Sequence, residues 1–123
     1  MTSLTPTNSQ QPSTGVVAVY VTVPNKDVAR QIAFALASEK LAACTNIIPG
    51  LESVYEWEGK VQSDNELLLM IKTRSCLVSS LTKRVRELHP YDECEVIAVP
   101  VIGGSSSYLQ WVKDSVTAEA SQE

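Results

Sequence analysis

Two rhythms of apolar residues run along this chain. Val16 to Val23 is a nearly unbroken β-branched and aromatic run, as a strand buried on both faces requires. Pro24-Asn25 ends it, and Asn25 is placed to cap a helix by accepting from the orphan amides of a first turn. Val28, Ile32, Ala35 and Leu36 then recur at helical spacing to about Glu39. From Ala43 to Trp57 the chain is rich in Ile, Val and Tyr but broken by Pro49-Gly50. Proline cannot donate to a ladder, so this strand is bent, bulged or at an edge there. Glu58-Gly59-Lys60 reads as a hairpin turn, and Glu66 to Thr73 returns as a strong strand around Leu67, Leu68, Leu69, Met70 and Ile71. Ser75 is the expected cap of a second helix, with the stripe Leu77, Leu81, Val85 and Leu88 and a stop at Pro90. Glu95 to Val101 is the fourth strand. Gly103-Gly104 breaks the chain, Ser105 to Ser107 offers a cap, and Leu109, Val112 and Val116 mark a last short helix.

The order βαββαβ plus a C-terminal helix predicts an α+β, ferredoxin-like fold with a four-stranded antiparallel sheet. Right-handed crossovers put the first two helices on one face. The other face then needs the last helix or another subunit, because an open apolar sheet face is an association surface. The hairpin Leu51 to Leu67 is longer than the core needs and is a candidate for reaching into a neighbouring subunit. Residues 1–15 are Ser, Thr, Gln, Asn and Pro with little to bury, which predicts a disordered tail. The folded unit is expected over 16–117, with 118–123 a frayed end.

Composition narrows the function classes. A chain of 123 residues suits one domain, burying roughly 65% of the surface of its unfolded form. The net charge of -4 gives nucleic acid nothing to bind, and Lys83, Arg84 and Arg86 fit the wet face of a helix. Cys44, Cys76 and Cys94 are odd in number and widely spaced, with no CxxC, which argues against a disulfide framework or a structural zinc site. A reducing, cytoplasmic setting follows. No segment has the length of a membrane span, and the N-terminus does not read as a secretory signal. GxSxG, P-loop, HExxH and GxGxxG signatures are missing, so an enzyme is not expected and no cofactor is required.

Several segments together resemble the CutA family: EKLAACTNIIPGLESVYEWEGK (Glu39 to Lys60), IKT (Ile71 to Thr73), HPYDECEVIAVPV (His89 to Val101) and YLQWV (Tyr108 to Val112). The resemblance implies a stable homotrimer in which hairpins continue the sheets of neighbouring subunits, kin in architecture to the PII signalling proteins with their ligand sites in intersubunit clefts. It also implies copper or divalent-cation binding and tolerance in bacteria, a link to acetylcholinesterase anchoring in animal members, and no established catalysis. Its other consequence is a rival reading, a trimeric scaffold whose clefts dock a protein or small metabolite while metal binding is incidental.

His89, the only histidine, sits at a helix end before Pro90. There an imidazolium favourably meets the helix dipole, whereas a neutral imidazole suits copper or zinc. The resemblance implies the metal role for His89 together with Glu95, which opens the last strand. The bacterial trio adds a cysteine near the end of the first strand, and Val21 stands at that position here. Cys94 is a possible additional ligand whose thiolate would favour Cu(I), although strand alternation points it away from Glu95. Cys44 is expected in the core, and Cys76 at the surface of a helix start. Tyr55 and Trp57 share one strand face, as interface aromatics do. With Tyr91 and Trp111, and with Lys72 and Glu95 as polar contacts, they are the expected lining of an intersubunit cleft.

Overall fold

The chain is described here by a computed structural model that covers residues 13–117. The β-branched run forms β1 (Val16–Val23), followed by α1 (Lys26–Ser38), β2 (Cys44–Trp57), β3 (Lys60–Arg74), a 3-10 turn (Ser75–Leu77), α2 (Val78–Leu88), β4 (Val96–Pro100) and α3 (Ser106–Ser115). The sheet order is β2-β3-β1-β4, every neighbour antiparallel. This is the α+β, ferredoxin-like arrangement that the element order predicts.

One face of the sheet supplies Val17, Val19, Val21, Val23, Leu69 and Ile71 to a core shared with Ala29, Ile32 and Leu36 of α1 and Leu81 and Val85 of α2. Each fully buried Val, Leu or Ile side chain stabilises the fold by about 1.5–3 kcal/mol. The cap of α1 is as expected, with Asn25 Oδ1 accepting from the Val28 amide at 2.9 Å. The cap of α2 is not. Ser75 lies in the 3-10 turn that buries Leu77, and its amide donates to the Gly15 carbonyl at 2.9 Å. Pro90 stops α2 as predicted, because the residue before a proline is pushed out of the helical region and His89 is extended (φ -79, ψ 138). On the wet face of α2, Lys83 and Arg86 are exposed while Arg84 forks onto Glu39 at the end of α1. A solvent-screened pair of this kind adds little to stability.

The hairpin is longer than the apolar pattern shows. β3 starts at Lys60, since pairing with β2 extends to Trp57 opposite Lys60, closed by Glu58 (φ 52) and Gly59 (φ 81). Positive φ at both central residues is the turn that matches strand twist. Residues 61–65 are polar or exposed, so only their cross-strand bonds mark them as strand. β1 pairs with β3 only from Leu67 onward. The stretch from Leu51 round to Glu66 is therefore a two-stranded ribbon projecting beyond the sheet. The expected irregularity is a register shift between Ile48 and Leu51, at Pro49-Gly50.

α3 covers part of the second sheet face, packing on β3 and β1, with Val112 buried on the helix and Val116 buried just past its end. Ile97 and Val99 stay 50% and 36% exposed there. The N-terminal boundary moves outward. Thr14 Oγ1 donates to the Val101 carbonyl at 2.6 Å and accepts from the Val16 amide at 3.1 Å, so Thr14 and Gly15 belong to the fold and not to a tail. The remainder of the predicted tail, residues 1–12, and the predicted frayed end, 118–123, lie outside the described residues. Among the described residues no helix is long and apolar enough to cross a membrane.

Candidate functional site

The root of the ribbon, the Thr22 end of β1 and the loop from His89 to Glu95 enclose a cleft of about 760 Å³. Its floor follows from hairpin register. Ser53 lies opposite Asp64, and Tyr55 opposite Gln62, so each hydroxyl has a carboxylate on its diagonal. Ser53 Oγ donates to Glu66 Oε1 at 2.6 Å, and Tyr55 Oη donates to Asp64 Oδ2 at 2.5 Å. From the loop, Tyr91 Oη donates to Glu66 Oε2 at 3.3 Å. Glu66 is thus a buried carboxylate, 6% exposed, held by two hydroxyls. Both phenols feel their carboxylates. The bond to Asp64 raises the pKa of Tyr55, and burial together with the Glu66 charge raises that of Tyr91. Asp92, Glu93 and Glu95 complete the rim, and Trp57 forms an apolar wall.

The predicted site residues divide. Glu95, Tyr55, Trp57 and Tyr91 line this cleft. His89 stands behind its wall, 6% exposed, with Nε2 2.8 Å from the Thr22 carbonyl and Nδ1 accepting from the Tyr91 amide at 3.1 Å. It is the C-cap residue of α2, but its ring turns to Thr22 and Tyr91 and does not open onto the cleft. Cys94 is buried in the helix-side core, away from Glu95, and burial pushes its thiol up. That disfavours the thiolate a metal needs. Val21 faces the same core, fully buried, so a cysteine there would not present its sulfur to this cleft. Lys72 bonds to Asn46 Oδ1, six residues beyond Glu66 along β3, or roughly 20 Å away. Trp111 lies on α3 against Tyr108, with ring centroids 5.5 Å apart. Within one chain, Lys72 and Trp111 do not join Tyr55 and Trp57.

Sequence reasoning passed over Asp64, Glu66, Ser53, Asp92 and Glu93. A signal for the first three existed. Folding the chain at Glu58-Gly59 sets 57 against 60, 55 against 62 and 53 against 64, which puts alternate carboxylates beside alternate hydroxyls. Among the described residues, no three His, Cys, Asp or Glu side chains converge to enclose a single ion.

A family model described as CutA1 divalent ion tolerance protein matches residues 17–115. This chain belongs to the CutA1 family. The CutA protein of Arabidopsis thaliana, named as chloroplastic, is 59% identical over 99 residues, 80% of this chain and 54% of that protein. The chain therefore spans about half the length of that plant relative. The divalent-cation tolerance protein CutA of Thermus thermophilus is 48% identical over 79% of this chain and 94% of its own length. The crystal structure of CutA1 from Oryza sativa is 55% identical and superposes with a TM-score of 0.82 over 85% of this chain and 98% of that one. The relatives from Thermus thermophilus and Pectobacterium atrosepticum are named divalent-cation tolerance proteins. A chloroplastic member shows that family membership does not fix a compartment.

Proposed function

We propose that this CutA1 chain binds divalent cations at the carboxylate cleft and acts in divalent-cation tolerance. One observation carries the reading. Five carboxylates, Asp64, Glu66, Asp92, Glu93 and Glu95, line one cleft, and the hairpin register fixes two of them with hydroxyl donors. The donor set is oxygen, which suits hard divalent cations and leaves Cu(I) without sulfur. Among divalent first-row ions, copper(II) is the one such a donor set holds most tightly. Since one chain does not enclose an ion, the cation keeps much of its water, or a second copy in a homotrimer adds donors. The cell compartment in this reading is a reducing one such as the cytoplasm.

The scaffold reading draws on a different observation, the exposed apolar ribbon of Val54, Tyr55, Trp57 and Val61, which suits protein contact. Both readings share one cleft wall and differ in what a cation does there. Paramagnetic Mn2+ titrated into ¹⁵N-labelled protein separates them. Amide signals of residues 64–66 and 92–95 are expected to broaden first. Broadening centred elsewhere, or none at millimolar Mn2+, removes the cation reading.

A further inference from the structure

The hydrogen-bond partners of His89 assign its tautomer. Nε2 lies 2.8 Å from a backbone carbonyl, Thr22 O, which can only accept, so Nε2 carries the proton. Nδ1 lies 3.1 Å from the Tyr91 backbone amide, which can only donate, so Nδ1 carries the lone pair. The ring is therefore neutral, with both nitrogens engaged inside the chain. A metal ion needs a free ring lone pair, and the only one here faces an N–H group.

The position of the ring explains why it is there. β4 begins at Val96, opposite Val21, so the edge of β1 at Thr22 has no β4 residue opposite it. His89, brought back to that edge by the turn after α2, supplies the missing donor. A part-buried backbone carbonyl is thereby satisfied by a side chain. The same ring holds the Tyr91 amide and packs against the Tyr91 ring, with centroids 4.9 Å apart. Tyr91 in turn holds Glu66. A continuous chain of contacts thus runs from β1 through His89 and Tyr91 to the buried carboxylate.

We infer that His89 is a positioning residue of the cleft, a neutral Nε2–H imidazole that ties the Tyr91 loop to β1, and that it does not ligate the cation. This assigns to the single histidine a role different from the metal role implied by family resemblance. The tautomer stands on the two hydrogen bonds alone, while the placing of Glu66 for a cation rests on the proposed function above.

The chain has one histidine, so its ring nitrogens give an unambiguous long-range ¹H–¹⁵N correlation spectrum. In metal-free protein the expected pattern is protonated Nε2 and bare Nδ1, unchanged on addition of Zn2+. The Nδ1–H pattern, or a zinc-induced shift of either ring nitrogen, overturns the inference. A second reading uses His89→Gln, whose amide reaches the Thr22 carbonyl but leaves the Tyr91 amide without its acceptor. The Tyr91 amide should exchange with solvent roughly tenfold faster than in the wild type, with Val19 unaffected. Equal exchange at Tyr91 also overturns it. The metal-free spectrum decides the tautomer whether or not the cleft binds zinc, so failure of the cation reading is told apart from failure of this one.

Discussion

Glu66 owes its orientation to Ser53 and Tyr91, and Asp64 owes its own to Tyr55. In each phenol pair the neutral form donates, whereas a phenolate would face a carboxylate, so folding raises the pKa of both tyrosines above the ordinary value of 10.0. For a group with a raised folded pKa, the stabilising contribution is complete below the unfolded value and is lost as pH climbs through the folded one. The cleft is thus expected to be insensitive to its tyrosines at neutral pH and to loosen above about pH 10. An alkaline absorbance titration at the phenolate band checks this. Tyr91→Phe should delete a component that titrates above 10, and loss of a component at or below 10 contradicts the assignment. The residue scale is also where sequence reading fell short. Histidine before proline is visible in the sequence, but its partners are a carbonyl 67 positions away and an amide two residues on. Nothing in local pattern announces the first of these. Glu95 and the aromatics Tyr55, Trp57 and Tyr91 were legible because strand alternation and the motifs around them place them on exposed faces. Lys72 and Trp111 share those motifs but lie on other parts of the chain's surface.

At the scale of elements, periodicity gave away β1 and α1 almost to the residue and the presence of α3, because burial on one side writes itself into the spacing of apolar positions. It understated β3. Lys60 to Asn65 buries nothing, and only the turn at Glu58-Gly59 and the opposing strand make it β structure. The ribbon so formed is the least self-sufficient element. Two strands alone are marginal in water, and this pair exposes Val61 at 78%, Val54 at 66% and Trp57 at 59%. Ile97 and Val99 leave a second apolar strip open on the sheet. Association is the expected resolution, and family resemblance gives the number three. Light scattering at low micromolar concentration should return about three times the 13.4 kDa chain mass. Trp57→Asp, on the ribbon, should lower that mass. A wild-type mass of one chain contradicts the association account and leaves the ribbon unexplained.

At the scale of the molecule, the fold places a polar, charge-lined cleft at the one corner where the sheet ends and the hairpin continues alone. The helix-side core keeps Val21 and Cys94 out of that cleft, and the His89 contacts keep the imidazole out, so what remains for a cation is oxygen. The most direct measurement is calorimetric titration of Zn2+ into metal-stripped wild type, Glu66→Gln and, as a control on the opposite face of β2, Glu52→Gln. Glutamine keeps the shape and hydrogen-bonding reach of Glu66 and removes its charge. The account predicts zinc affinity roughly tenfold or more weaker in Glu66→Gln and unchanged in Glu52→Gln. Equal affinity in Glu66→Gln and the wild type would contradict it.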